Sequence, residues 1–158
     1  MEKVQFPRFM VAAEKSGQGK TLITCALLEL LKEQHRVSAF KCGPDYIDPM
    51  FHKAVLGIPS RNLDLFFISE REVRGQIVRS IPQNGLGVIE GVMGFYDGVS
   101  GTTDTASAAH LARETGTPAI LVVRPKGQSL SLAAMLSGFR NFTENTLCGV
   151  VLNGISDA

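Results

Sequence analysis

Short apolar runs recur along the chain, and each is continuous rather than alternating with polar residues. They cover residues 9–13, 37–40, 86–89, 119–123 and 149–152 and are rich in β-branched side chains. Continuous hydrophobicity is typical of parallel strands whose sheet is covered by helices on both faces. The pattern therefore predicts five buried strands of one parallel sheet.

Helical patterns separate these runs. The clearest spans residues 21–34, where two rows of apolar side chains, starting at Leu22 and Ile23, repeat every four residues. Weaker patterns of the same kind cover residues 69–79, 105–115 and 129–142. Alternating strands and helices predict an α/β fold with a doubly wound, mostly parallel sheet. Ligands of such folds bind at the carboxyl ends of the strands.

The chain has 158 residues, 44% of them hydrophobic, and a net charge of +1. This length predicts one domain over residues 1–158, and the small charge favours neither nucleic acid nor a membrane as a partner. No signal peptide or membrane-spanning segment is evident, and three cysteines without paired spacing suit a reducing cytoplasm. Because the chain ends soon after a strand-like segment, we expect C-terminal truncation, with a natural polar terminus as the alternative.

A glycine-rich loop, A-E-K-S-G-Q-G-K-T over residues 13–21, follows the first strand and precedes the clearest helix. Ser16, Gly17 and Gly19 form the loop whose backbone N–H groups would surround phosphate oxygens. Lys20 would bring its charge to the β- and γ-phosphates, and the Thr21 hydroxyl would bind Mg²⁺. The context predicts a P-loop nucleotide site, against the alternative of a glycine-rich helix start without nucleotide.

Two residues of this loop depart from the simplest pattern. The strict motif would have glycine where this chain has Glu14. Lys15 gives K-S-G-Q-G-K-T, which resembles the loop of Min- and Par-type ATPases, whose extra lysine reaches across a dimer. We favour a solvated loop lysine here and keep the dimer as the alternative.

Acidic residues follow two other predicted strands. Glu90 ends an apolar run, and Asp45 and Asp48 lie in the proline-bracketed segment F-K-C-G-P-D-Y-I-D-P. Carboxylates at this edge are suitable Mg²⁺ ligands, and a buried Glu90 needs a metal or cationic partner. Asp45 has the alternative of capping a turn. Asp48 has the equally weighted alternative of capping a helix that starts at Pro49.

A third loop, with four glycines, runs from residue 91 to residue 107 and suits a lid or a substrate-facing segment. Asp97 has no evident structural role there. For Asp104 we favour an N-cap of the helix predicted from residue 105. His110 is predicted to be a partly buried helix residue rather than a catalytic base.

These segments together resemble the N-terminal domain of cobyrinic acid a,c-diamide synthases. The similarity covers residues 9–153 and rests on S-G-Q-G-K-T, F-K-C-G-P-D-Y-I-D-P, P-S-R-N-L-D, V-I-E-G-V-M-G-F-Y-D-G and A-H-L-A in this order. The wider dethiobiotin-synthetase-like group shares the phosphate loop but not these segments. The resemblance implies a fold of that kind.

The resemblance implies ATP- and Mg²⁺-dependent amidation of the a and c carboxylates of a tetrapyrrole, through an acyl phosphate, in cobalamin biosynthesis. It implies that Asp45 and Glu90 bind the metal with Thr21. Asp48 and Asp97 would act with Lys20 in catalysis, as substrate-loop residues that position the carboxylate.

Further implied contacts lie outside the loops already described. Asn153 would bind adenine, and Ser60, Arg61 and Asn62 would contact the acidic side chains of cobyrinic acid or a related tetrapyrrole. Ammonia would come from a glutaminase domain or subunit that is absent from this chain. Two alternatives remain: a regulatory ATPase of the Min or Par kind that forms a homodimer, and a nucleotide-binding fragment without catalysis.

Overall fold

The computed structural model describes residues 6–155, which form one six-stranded sheet with flanking helices. The strands are β1 Arg8–Ala13, β2 Val37–Cys42, β3 Ser60–Leu63, β4 Leu86–Glu90, β5 Ala119–Val123 and β6 Leu147–Leu152. The helices are α1 Lys20–Lys32, α2 Ile47–Ala54, α3 Glu70–Ser80, α4 Ala108–Thr115 and α5 Leu130–Asn141.

Every neighbouring pair of strands is parallel, in the order β3-β2-β4-β1-β5-β6. The predicted doubly wound α/β fold is therefore confirmed. From β1 the chain passes to β2 and β3 at one edge of the sheet and returns to β4, beside β1. It then crosses to β5 and β6 on the other side of β1, so the direction of winding reverses there. The loop that follows β1 is the phosphate loop, which lies at the switch point where such sheets bind ligands.

The two faces of the sheet are packed by different helices. Met10 and Ala12 of β1 pack on the same side as residues of α3 and α4, whereas Val11 and Ala13 pack on the side of Leu28 in α1. This alternation within an entirely apolar strand is what a sheet covered on both faces requires.

Strand β3 was missed by the sequence prediction, and α2 was anticipated only as the alternative of a helix that starts at Pro49. Strand β3 has only four residues, is largely polar and forms one edge of the sheet. Helix α2 has eight residues and lies inside the proline-bracketed segment, with Pro49 in its first turn. Proline is tolerated there because N–H groups of the first turn lack intrahelical partners.

Helix α4 begins later than predicted. Ala106 has φ 59°, in the left-handed region, so the helix cannot extend back through it. Ser107 is the N-cap, and its hydroxyl accepts the N–H of His110 at 3.1 Å. The predicted N-cap role of Asp104 is therefore wrong; its carboxylate instead accepts a hydrogen bond from Arg113 at 2.9 Å. His110 lies within α4, as predicted.

The least buried part of the described chain is α5 with β6. No residue of α5 is buried, and β6 is mostly exposed despite its apolar sequence. Across residues 6–155, every helix falls short of the length and hydrophobicity that crossing a bilayer would take.

Candidate functional site

The phosphate loop joins β1 to the N-terminus of α1. Gly17 and Gly19 have φ 78° and 91°, a conformation that favours glycine. Gly19 is the N-cap of α1, and a Cβ atom there would collide with the side-chain amide of Asn153. Ser16 is exposed on the same loop. The loop thus presents backbone at a helix N-terminus, which is the arrangement that binds phosphate.

The side chain of Lys20 reaches the loop that follows β4. Its side chain is buried, and its Nζ donates to the carbonyl oxygen of Met93 at 2.5 Å. Burial lowers the pKa of the Lys20 ammonium, with repulsion from Lys41 acting in the same direction. Met93 has φ 44°, in the left-handed region that is unfavourable for a non-glycine residue, so the acceptor of this hydrogen bond belongs to a strained residue.

Glu90, the last residue of β4, is completely buried beside the phosphate loop. Its Oε1 accepts hydrogen bonds from Thr21 Oγ1 at 2.6 Å and from Lys41 Nζ at 2.9 Å. Its Oε2 is buried without a hydrogen-bond partner among residues 6–155. Burial raises the pKa of Glu90, although Lys41 and Thr21 oppose the shift. The predicted proximity of Thr21 and Glu90 is observed.

Lys41 is a residue of this cluster to which the sequence analysis gave no role. It lies in β2, opposite Glu90 of β4, and its Nζ donates to Asp48 Oδ2 at 2.5 Å as well as to Glu90. Burial disfavours its charge, but Glu90 and Asp48 outweigh that cost and raise the pKa of Lys41. A lysine within a continuous apolar strand was the available signal, because a buried ammonium requires anionic partners.

Asp48 and Asp45 occupy different positions around Lys41. Asp48 lies inside α2, whose N-cap is Tyr46, so the alternative that Asp48 caps a helix from Pro49 is wrong. Burial raises the pKa of Asp48, but its pairing with Lys41 outweighs this and lowers it. Asp45 Oδ1 accepts the N–H groups of Ile47 and Asp48 at 2.8 and 3.2 Å, so its turn-capping role is observed.

The second oxygen of Asp45 lies 3.7 Å from Lys41 Nζ. Asp45 is thus at the rim of the cluster, separated from Glu90 by the lysine. Its role as a metal ligand stays a prediction.

His52 is a second residue that the sequence analysis missed. It is fully buried in α2, with Nδ1 3.1 Å from Ser60 Oγ. Its Nε2 lies 3.9 Å from Glu90 Oε2, and neither atom has a hydrogen-bond partner in the described part of the chain. Burial lowers the pKa of His52. Because sequence alone does not show where α2 docks on the sheet, it could not place this imidazole next to Glu90.

The remaining predicted residues lie around this centre. Asp97 Oδ2 accepts the N–H of Gly94 at 2.9 Å and so closes a turn of its own loop. Asn153 donates to the carbonyl oxygen of Gln18 at 2.8 Å, which ties the end of β6 to the phosphate loop. Lys15 is exposed, and its Nζ lies 3.6 Å from Glu14 Oε1.

The three predicted contacts to the tetrapyrrole, Ser60, Arg61 and Asn62, all lie in β3 but have different surroundings. Ser60 faces His52, and Asn62 donates to the carbonyl oxygen of Asp45 at 2.7 Å. Arg61 is exposed. Ser60 and Asn62 thus contact α2 and the acidic loop, and a contact with substrate remains a prediction for all three residues, of which Arg61 is the exposed one.

The oxygen atoms at the phosphate loop fit Mg²⁺. The Thr21 hydroxyl and the Glu90 carboxylate are adjacent, and Glu90 Oε2 has no partner among the described residues. These hard oxygen donors are the kind that Mg²⁺ prefers, together with phosphate oxygens and water.

A separate cluster of Glu70, His110 and Glu114 has ligand atoms within 4.8 Å of one another. It suits a cation poorly, because Arg74 donates to Glu70 at 3.1 Å and to Glu114 at 2.7 Å. In addition, His110 Nδ1 already accepts the N–H of Ala106 at 3.0 Å.

The site combines β1, the glycine loop and α1 with the carboxylate of Glu90 from the adjacent strand β4. This combination defines a nucleotide-binding domain of the P-loop class. Residues 9–158 match the model of the CobQ/CobB/MinD/ParA nucleotide binding domain. The chain belongs to this family.

Relatives of the chain in several organisms are named cobyrinate a,c-diamide synthases. Cobyrinate a,c-diamide synthase of Gloeobacter violaceus is 49% identical over 148 residues, covering 92% of this chain and 33% of that protein. The synthase of Clostridium acetobutylicum is 46% identical over 151 residues, covering 94% and 34%. That of Thermoplasma acidophilum is 42% identical over 154 residues, covering 97% and 34%.

The chain therefore spans about a third of the length of these relatives. The resemblance to the cobyrinic acid a,c-diamide synthases is confirmed over that third.

Proposed function

We propose that this chain activates substrate carboxylates with ATP, in an enzyme that amidates the a and c side chains of a tetrapyrrole in cobalamin biosynthesis. The observation that carries the proposal is the cluster of Lys20, Thr21, Lys41, Asp48 and Glu90 at one edge of the sheet. Two cations and a metal-compatible oxygen pair lie where the terminal phosphates of a loop-bound nucleotide would be. That concentration of charge suits phosphoryl transfer to an anionic acceptor.

ATP would supply a phosphoryl group to the carboxylate, and ammonia would then displace phosphate from the acyl phosphate to give the amide. Thr21 and Glu90 would hold Mg²⁺, with Asp45 as the predicted further ligand. Lys20 would leave the Met93 carbonyl to neutralise the terminal phosphates. These residues position reactants and balance charge, which is the main task of a protein in phosphoryl transfer.

Asp48 and Asp97 would orient the acceptor side. Asp48 holds the Lys41 ammonium at 2.5 Å, and a positioned cation next to the acceptor carboxylate reduces its repulsion from the phosphates. Asp97 closes the loop turn at Gly94 and so shapes the segment that carries Met93. Arg61 is exposed and has the planar guanidinium that pairs with carboxylates.

We place the source of ammonia outside these 158 residues. Burial raises the pKa of the Cys42 thiol to about 12, so a thiolate nucleophile is not available there at neutral pH. The relatives are about three times as long as the chain, which leaves room in them for such a function. Free ammonium would replace that source in an assay.

The test is amide formation by the purified chain with ATP, Mg²⁺, ammonium chloride and cobyrinic acid, followed by mass spectrometry. Hydroxylamine in place of ammonium should yield the hydroxamate, which reports the acyl phosphate. Lys20→Ala should abolish both products, whereas Lys32→Ala on the exposed side of α1 should not. If ADP forms equally fast with and without the macrocycle and no amide or hydroxamate appears, carboxylate activation by this chain is wrong.

A dimerising ATPase is a second candidate because Lys15 is 70% exposed on the phosphate loop, where it can reach a second molecule. This function requires ATP-dependent dimers that disappear in Lys15→Ala. Sedimentation velocity with and without ATP measures them directly. Binding of ATP without turnover, by a monomer and with every macrocycle tried, would support the non-catalytic alternative instead.

A further inference from the structure

A groove next to the phosphate loop has no role in the nucleotide site described above. It has a volume of about 440 Å³, and its lining includes Asp64, Phe66, Phe67, Met93, Val99 and Ala106. We refer to it as the Phe67 groove. It lies between the segment that follows β3 and the loop that follows β4, at the carboxyl edge of the sheet.

The rim of the Phe67 groove is apolar and exposed. Phe66 and Phe67 are 61% and 70% exposed, with ring centroids 4.9 Å apart in an edge-to-face pair. Across the groove, Met93 and Val99 are 44% and 54% exposed. Large apolar side chains gathered at one place on a surface are typical of a binding site rather than of a solvated face.

Backbone strain is concentrated in the same groove. Among residues 6–155, the non-glycine residues with positive φ are Asn84, Met93 and Ala106, and the last two line the groove. Such conformations are energetically unfavourable and cluster at active sites and ligand sites. The loop that follows β4 is therefore held in an unfavourable shape on the groove side.

Asp64 adds an unpaired acceptor to the wall. This residue is only 9% exposed, and its Oδ1 accepts the N–H of Phe66 at 2.9 Å. Its Oδ2 is buried and has no hydrogen-bond partner in the described part of the chain. A buried acceptor without a partner is costly, and a ligand that brings an N–H or O–H donor would relieve that cost.

Met93 connects the groove to the chemistry of the site. Met93 lines the groove, and its carbonyl oxygen accepts a hydrogen bond from the Lys20 ammonium. Met93, Gly98 and Val99 also line a second cavity of about 540 Å³ that contains Asp97. The two cavities thus share a wall, and Met93 contacts both the Phe67 groove and the Lys20 ammonium.

We propose that the Phe67 groove binds the apolar ring face of a macrocycle that carries carboxylates on its periphery. One carboxylate would then lie at Lys20, and Asp64 would accept a hydrogen bond from an O–H donor of the macrocycle, such as a protonated carboxyl group at the ring periphery. This inference rests on the proposed function and deepens it by assigning the substrate-binding surface. The exposed pair of Phe66 and Phe67 would provide the apolar contact area. The loop that contains Met93 would position the macrocycle next to Lys20.

The experiment measures binding of the macrocycle separately from amide formation, which the mass-spectrometric assay above reports. Cobyrinic acid is equilibrated with the chain across a dialysis membrane, and its visible absorbance gives the Kd. Phe67→Ser and Val99→Ser should each raise that Kd about tenfold, because each removes apolar contact area. The Kd for ATP, measured by calorimetry, should not change. Val78→Ser is the matched control, since Val78 is 50% exposed on α3 and lies outside the groove lining.

An unchanged Kd for cobyrinic acid in both groove variants would overturn the proposal, even if amidation is observed. A change in self-association of Phe67→Ser, with macrocycle binding intact, would identify the groove as a contact between copies and would also overturn it. If the unmodified chain binds cobyrinic acid through the groove but forms no amide, the groove proposal stands and the proposed function fails. If the unmodified chain does not bind cobyrinic acid, both fail.

Discussion

Replacing Lys41 by methionine tests the buried charge cluster. Methionine keeps most of the apolar stem but removes the ammonium that bonds to Glu90 at 2.9 Å and to Asp48 at 2.5 Å. Glu90 is 0% exposed, so its carboxylate would lose its nearest cation without gaining access to water. The hydroxyl of Thr21 would remain its one hydrogen-bond donor among the described residues.

The expected loss of stability is large. Removing one partner of a buried ion pair costs about 3–5 kcal/mol, because the other charge stays buried and uncompensated. An exposed pair contributes only about 0–1 kcal/mol. Lys32 and Glu29 form such a pair, with their atoms 2.6 Å apart and their side chains 35% and 51% exposed. Lys32→Met is therefore the matched control.

Urea unfolding followed by circular dichroism at neutral pH gives the free energy of unfolding of each variant. Lys41→Met should be less stable than the parent by about 3–5 kcal/mol, and Lys32→Met by no more than about 1 kcal/mol. Adding Glu90→Gln to Lys41→Met should recover part of the loss, since it removes the stranded charge. Equal effects of the two lysine substitutions would refute the reasoning, because burial would then not distinguish the pairs.

Three further predictions concern the helix caps, the thiols and the phosphate loop. Ser69→Ala should lower the free energy of unfolding in urea by about 1 kcal/mol, because the Ser69 capping box of α3 is lost. Ser129→Ala at the start of α5 should have little effect, since the Ser129 side chain makes no capping hydrogen bond. Cys148, which is exposed, should react rapidly with Ellman's reagent, while Cys42, with its pKa raised to about 12, should react only after unfolding. Gly19→Ala should weaken ATP binding in calorimetry, because φ 91° is strained for alanine and its Cβ meets Asn153.

The control for the phosphate loop is Gly101→Ala, where no atom lies within 4 Å of the added Cβ. Equal ATP affinity in the two glycine variants would contradict the steric argument. Equal stabilities of Ser69→Ala and Ser129→Ala would contradict the role of the capping box. Labelling of Cys42 in the native state at the rate of Cys148 would show that burial does not protect its thiol.

The local sequence pattern was sufficient to predict a helix or strand where the element is long or its hydrophobicity is unambiguous. All five predicted strands and all four predicted helices are present, with boundaries shifted by a few residues. The other two elements, β3, which was missed, and α2, which was only an alternative, are short. Strand β3 is polar because it lies at the sheet edge, and α2 is hidden among residues that also suit a turn. Four to eight residues carry too little periodicity to separate these alternatives.

At the candidate site, the sequence motifs identified the phosphate loop and the acidic side chains but not the residues that pair with those side chains. Thr21 and Glu90 were predicted together, and the structure places them 2.6 Å apart. Lys41 and His52 were missed, because each owes its position to another element: Lys41 to the pairing of β2 with β4, and His52 to the docking of α2. The proposed N-cap role of Asp104 failed because a single left-handed residue, Ala106, delays the helix.

The amino-acid sequence by itself determined the class of fold, the phosphate loop and the acidic residues at the strand ends. It could do so because strand hydrophobicity, helix periodicity and glycine conformation are local properties of the chain. Only the tertiary structure decided which charges meet. The parallel register of β2 and β4 sets Lys41 opposite Glu90, and the packing of α2 then encloses Glu90 with Asp48 and His52. Electrostatic partners depend on separation in space and on burial, neither of which is encoded in spacing along the chain.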